Sequence, residues 1–253
     1  SGIALLLESA RLLSAYEWNQ TIVFLAAAAE EQGTFGSRHF VQTAFLEGKN
    51  IIAAINYDAV GGRPGIPQSA RLFAPNLRES PSGELARYYE YIAGLYVPAF
   101  PLQIVDALDR EGRWGDHREF VNAGMPGIRV IESVEDPDMV NSRTDTWDRI
   151  DYNYLQQMVQ MNIAVVANLA GAPAHVEGGE REDAGCRHAR QQRRHGDEEY
   201  GHVAVRQVAA VPVVVEWPHE LDQPRGVRGR EMLLGLPHDR GPRAGPRAHE
   251  VGV

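Results

Sequence analysis

The 253-residue chain has one cysteine, Cys186, and one lysine, Lys49. A single cysteine excludes an internal disulfide framework. No run approaches the roughly 18 consecutive apolar residues of a membrane span. No charged segment precedes an apolar stretch near the start, so no signal peptide is read there. The chain opens on Ser1-Gly2 without Met and is expected to lack its natural start. Net charge is −9, from 25 basic and 34 acidic residues, which argues against a nucleic-acid surface. With 43% hydrophobic and 23% charged residues, wholesale disorder is excluded.

These averages hide a break near residue 172. Residues 1–172 carry 13 basic and 21 acidic residues, whereas 173–253 carry 12 and 13. All seven Phe precede the break and seven of nine His follow it. The last 81 residues contain no Ser, Thr, Asn, Ile, Phe or Lys. We therefore read a domain over 1–172 and an irregular or disordered tail over 173–253. Arg outnumbers Lys 24 to 1, which suggests a GC-rich gene. Such a gene read out of frame yields Arg, Gly, Pro, Ala and His. A frameshift near codon 174 accounts for the tail, and resequencing tests it; the rival is a genuine disordered extension. No tail residue is assigned a role, Cys186, His188 and His195 included, because their spacing fits no zinc motif.

Along the first part, apolar periodicity predicts helices over 3–16, 37–46 (with Ser37 as N-cap), 82–96, 116–122 and 151–169. Short apolar runs predict buried strands over 21–29, 51–57, 102–105 and 127–131. Helices alternating with apolar strands indicate a three-layer αβα sandwich with a mostly parallel, mixed sheet. In the tail, Val203–Trp217 reads as a strand pair.

In such sheets ligands sit beyond the carboxyl ends of the strands. Acidic residues gather there. Glu30-Glu31 follows strand 21–29, Asp58 ends strand 51–57, and Glu132, Glu135, Asp136 and Asp138 follow strand 127–131. Neighbouring carboxylates repel unless a cation or a shared proton compensates. With a metal ion present, one carboxylate ligates it while the other takes a proton from its bound water. A solvated acidic turn is the alternative for the dipeptide alone.

Four longer segments go further: TIVFLAAAAEEQGTFGSRHF, INYDAVGG, WGDHREFVNAGMPGIRVIES and RTDTWDRIDYNYL. In order and spacing they resemble the zinc-dependent aminopeptidases of metallopeptidase family twenty-eight, over about residues 1–171. The opening SGIALLLESARLLS is similar to the helix after that family's Asp-Asp-x-x-Ser-Gly stretch. The resemblance implies a zinc-exopeptidase fold, two zinc ions and a peptide substrate with a free N-terminus. It also implies a secreted or cell-envelope location. Glu30 then matches the general base, Glu31 a ligand of one zinc and Asp58 a ligand of the other. Asp116 and His117 match the family's Asp-His pair near the site. For His117 a hydrogen-bonded histidine at a helix start stays open. Gly33 and Gly36 are expected to let the loop turn closely.

The chain departs from this pattern in two ways. The family's first His ligand and its bridging Asp lie upstream of the position of Ser1, so the domain is expected to be truncated at its N-terminus. Asn141 stands where the family has its last His ligand, and an amide oxygen is a poor substitute for imidazole on zinc. Impaired peptidase activity follows, with a non-catalytic binding module or an inactive fragment as alternatives. Missing strands should leave an exposed sheet edge, with self-association through it. The tail is not expected to fill the gap, since Val203–Val215 is its only strongly apolar stretch. Tyr57, Phe100 and Trp114 are read as core residues rather than pocket lining.

Overall fold

A computed structural model describes residues 1–172, 208–210 and 212–217. The chain begins with α1 (Gly2–Leu13), β1 (Thr21–Phe24), β2 (Ala27–Ala28), α2 (Phe35–Leu46) and β3 (Asn50–Tyr57). It continues through β4 (Ala70–Ala74), α3 (Pro81–Tyr96), β5 (Leu102–Asp106), α4 (His117–Asn122) and β6 (Gly127–Glu132). Then come α5 (Tyr152–Gly171), β7 (Val208–Ala210) and β8 (Pro212–Trp217).

Helix starts are set by local chemistry. Ser80 Oγ accepts from the Gly83 N–H at 2.9 Å, and Pro81 opens α3, where no backbone donor is needed. Asp151 Oδ1 accepts from the N–H groups of Asn153 and Tyr154 at 3.0 and 3.1 Å, starting α5. For α2 the expected cap is corrected. The helix begins two residues earlier, after Thr34, because the N–H groups of Gly33 and Thr34 both close on the Glu30 carbonyl. Ser37 is inside the helix, and its hydroxyl is used elsewhere.

Six strands form one mixed sheet in the order β1-β8-β3-β6-β4-β5. β3/β6 and β4/β5 are parallel, and the other three ladders are antiparallel. Helices cover both faces. On one side α1, α3 and α5 pack over Ala53, Ile55, Tyr57, Leu72, Ile128 and Val130. On the other, Val41 and Ala44 of α2 and Phe120 of α4 pack over Ile51, Ala54 and Val214. Ile51 and Ala53 would share a face in a regular strand. A register shift between them sends them to opposite cores. Within the larger core a buried polar chain joins four elements. The Tyr57 hydroxyl donates to Asn162 Oδ1 at 2.8 Å and lies 3.1 Å from the Tyr89 hydroxyl; Asn162 Nδ2 donates to Ser9 Oγ at 2.7 Å.

Three differences from the sequence reading stand out. The run 21–29 is two strands, broken before Ala27. β4 was not anticipated, because its five residues ARLFA are too few to show a period. The expectation for the tail is also corrected. β7 and β8 fall in the strand pair read over 203–217, yet they do not pair with each other. β7 pairs with β2, and β8 lies between β1 and β3. Thus 208–210 and 212–217 are strand rather than irregular, and β8 fills the position that the tail was not expected to reach. Its VVV run supplies what such a position demands: Val213 and Val215 face one core and Val214 the other, all fully buried. The proposed frameshift near codon 174, Cys186, His188 and His195 lie outside the described residues.

Burying one valine side chain contributes about 1.5–3 kcal/mol. An unpaired carboxylate there costs more than that gain. Val214→Asp is therefore expected to destabilise the protein by roughly 3–5 kcal/mol in urea unfolding followed by circular dichroism. A change under about 1 kcal/mol would mean that this strand does not hold the sheet together.

Candidate active site

Because β3 and β6 run parallel, their carboxyl ends open on the same side. A cavity of about 710 Å³ lies there. Glu30, Glu31, Asp58, Arg129, Glu132 and Asn141 are among the residues lining it. The acidic residues foreseen at the strand ends thus come together, save Asp138, which is not part of the lining. Tyr57 and Phe100 are core, as expected. Trp114 is not: it is 47% exposed, lines the cavity and stacks under Arg118, whose guanidinium carbon lies 4.7 Å from the ring centroid. An exposed loop next to Gly112 and Gly115 offers it no core to enter.

The loop bearing Glu30 is held in an unusual shape. Ala29 and Thr34 both have left-handed backbones, with φ 57° and 58°, and Gly33 has φ 120°. Such positions persist only when their surroundings fix them. Here α2 does so. A Cβ on Gly36 would lie 2.5 Å from the Ala28 nitrogen, so only glycine lets the helix close on β2. Thr34 Oγ1 donates to Glu119 Oε1 at 2.6 Å, tying the loop to α4.

Glu30 is a strongly perturbed carboxyl of the pocket. It is buried, and burial raises its pKa from 4.5 to about 7. The negative charges of Asp58, Asp116 and Glu31 add to the rise. Asp116 is fully buried, and burial pushes it up to about 6 even though Ser37 Oγ donates to its Oδ1 at 2.5 Å. This contact is where the Ser37 hydroxyl is spent. His117 takes the bland of its two readings: Nε2–H donates to the Leu108 carbonyl at 2.7 Å, and burial lowers its pKa to about 4. It does not reach the cavity.

Asp58 meets a cation that the sequence reading missed. Arg129, on β6 and 2% exposed, donates from Nε (3.0 Å) and Nη2 (2.6 Å) to the Asp58 carbonyl. Nη2 also donates to Asp58 Oδ2 at 3.0 Å. Its Nη1 donates to Asp109 Oδ2 at 2.6 Å. Asp109 also accepts from Arg110 Nε at 3.0 Å, Arg110 pairs with Glu135, and Glu135 pairs with Arg71 at 2.9 Å. The result is an alternating row of three carboxylates and three guanidinium groups. Burial raises the Asp58 pKa, only partly offset by Arg129 and Arg110. Burial also opposes the charge on Asp109, yet Arg129 and the Arg110 N–H hold it below its ordinary value. The signal for Arg129 was present: an arginine inside the apolar strand GIRVI must find buried partners. Asn141 Nδ2 donates to Glu31 Oε1 at 2.7 Å, so the residue at the expected histidine position does approach Glu31.

The model of Peptidase family M28 matches residues 1–166. The chain belongs to peptidase family M28. A probable zinc metalloprotease of Pyricularia oryzae is 30% identical over 211 residues, covering 70% of this chain and 42% of the relative. One from Pyrenophora tritici-repentis is 31% identical over 208 residues, covering 69% and 43%. This M28 chain therefore spans less than half the length of these relatives. Among solved structures, LapB from Legionella pneumophila aligns with a TM-score of 0.55 at 22% identity, over 66% of this chain and 45% of LapB. The LapA aminopeptidase of the same organism aligns at 0.54 and 18%, over 67% and 45%. At these identities the likeness establishes the fold, an open mixed sheet between helices.

The names of the curated relatives carry zinc, and the donors present here can be tested against it. Among the described residues no three His, Cys, Asp or Glu side chains converge on a point where a metal could sit. Asp58 is taken by Arg129, Glu31 by Asn141, and the buried His117 does not line the cavity. A catalytic zinc needs three protein ligands. The described residues do not fit zinc.

Glu30 binds its proton more tightly folded than unfolded, so its contribution to stability is full below pH 4.5 and is lost as pH rises through about 7. Urea unfolding at pH 4, 6 and 8 is expected to show Glu30→Gln gaining on the wild type between pH 4.5 and 7, then levelling off. A pH-independent difference would place Glu30 in water.

Proposed function

We propose that this chain derives from exopeptidases acting at the free N-terminus of peptides, and that its pocket binds such a terminus without detectable hydrolysis. The observation that carries this reading is Glu30: a buried carboxyl with a pKa of about 7, lining a cavity shared with Glu31 and Asp58. A group titrating near the working pH can take a proton from an attacking water and return it to the leaving amine. Burial supplies that poise here, and the neighbouring carboxylates reinforce it. The acidic lining suits an α-ammonium group, with the exposed Glu31 carboxylate as the first partner it meets.

Two zinc ions, as the family resemblance implies, stand about 3.5–4 Å apart in such sites and need more donors than Glu31 and Asp58. The pairing of Asp58 with Arg129 and of Glu31 with Asn141 supports the impaired reading, and no step passes through a metal. It equally favours the second reading, a non-catalytic binding module, because Arg129 and Asn141 already satisfy the two carboxylates. A secreted or cell-envelope setting belongs to the same proposal.

The test uses the full chain with leucine amide. Calorimetry is expected to detect binding, weakened about tenfold by Glu31→Gln, as loss of one charge-assisted hydrogen bond implies. Ammonia release is expected to stay at the buffer rate. Turnover above that rate, abolished by Glu30→Gln, would refute the impairment. No binding by either protein would refute the proposal as a whole.

A further inference from the structure

Arg129 occupies a place that sequence patterning gives to apolar residues, in the middle of β6, which runs parallel to β3 and antiparallel to β4. Four of its five N–H groups nonetheless find acceptors. Three of its hydrogen bonds go to Asp58, two to the carbonyl and one to Oδ2, and a fourth goes to Asp109. A Cβ on Gly115 would lie 3.0 Å from Arg129 Nη1, so the loop after β5 is shaped closely around the guanidinium. The row Asp58–Arg129–Asp109–Arg110–Glu135–Arg71 has three charges of each sign and sums to zero. Asp58 at its cavity end already has its counter-ion. A divalent cation arriving there would meet a neutralised carboxylate and stand beside a buried positive charge. Its other approach, through Glu31, meets the Asn141 amide on Oε1.

We infer that Arg129 is the resident cation of Asp58 in this chain and competes with a metal ion for that carboxylate. It acts through Asp58 and is a positioning residue. A purely structural arginine would, on removal, lower metal affinity along with stability. A competing one would raise it. The inference concerns cation choice and does not depend on whether any peptide is bound or hydrolysed.

The experiment measures zinc binding to the full chain with zinc chloride alone, by calorimetry and by elemental analysis after gel filtration. Arg129→Met keeps the apolar stem within β6 and removes the charge. The wild type is expected to retain close to no zinc at micromolar concentration. Arg129→Met is expected to bind one ion at least tenfold more tightly, and Asp58→Asn added to it should abolish the gain. Unchanged or weaker binding in Arg129→Met, or two ions on the wild type, overturns the inference. If Arg129→Met does not fold, the wild type still decides. The slowly exchanging Arg129 Nε–H signal in a nitrogen-15 spectrum should keep its position when zinc chloride is added to 100 μM. Its shift or loss would show Asp58 exchanging Arg129 for zinc.

Discussion

Val213, Val214 and Val215 alternate between two hydrophobic cores, and through their backbones β1 is joined to β3. The β1 side of the sheet depends on that junction. Without it β1 has no partner in the large sheet, and Ile51, Ala53 and Ile55 lose the strand that covers their edge. The loop carrying Glu30 leaves the sheet by way of β1 and β2. The position of Glu30 is therefore tied to a strand nearly two hundred residues away in the chain.

The pocket itself is governed by how buried charges find partners. Glu30 has no cation near enough to outweigh its burial and its acidic neighbours, so it holds its proton to near neutrality. Asp109, buried as deeply, is gripped by two arginines and stays ionised. The same low-dielectric setting thus produces two opposite carboxyls a short distance apart, and the placement of guanidinium groups decides between them. Asp58, Arg129, Arg110 and Glu135 of the ion row all line the cavity.

Much of this was legible in the sequence, for physical reasons. Long helices such as α3 and α5 show their period over four or more turns, although the cap of α3, Ser80, lies two residues before the start read at 82. The αβα architecture and the acidic strand ends follow from order and spacing, and the family resemblance singled out Asn141, whose contact with Glu31 only the folded chain shows. What was hidden depends on pairs distant in sequence. Ser37 resembled a cap because Ser caps helices, and only the folded chain brings Asp116 to its hydroxyl. β4 is too short to carry a pattern. Arg129 was passed over as part of an apolar run, although a charge in such a run is itself a signal. β8 was undervalued because its neighbours in sequence are of unusual composition, while its neighbours in space are ordinary strands.

The end of α5 is pinned beside the start of β1: the Gln20 N–H donates to the Ala170 carbonyl, and Asn19 Nδ2 reaches the carbonyls of Gly171 and Ala172. β7 begins at Val208, against Ala28. The chain therefore leaves the described helices beside the start of β1 and is next described one short strand further on, against β2. Bringing two points of a chain together carries an entropy that grows only logarithmically with the residues between them, about 0.6 kcal/mol for each doubling. The fold thus sets where the two ends lie far more strictly than how many residues separate them, and it fixes the three valines of β8 most strictly of all, since each is fully buried in one of two cores.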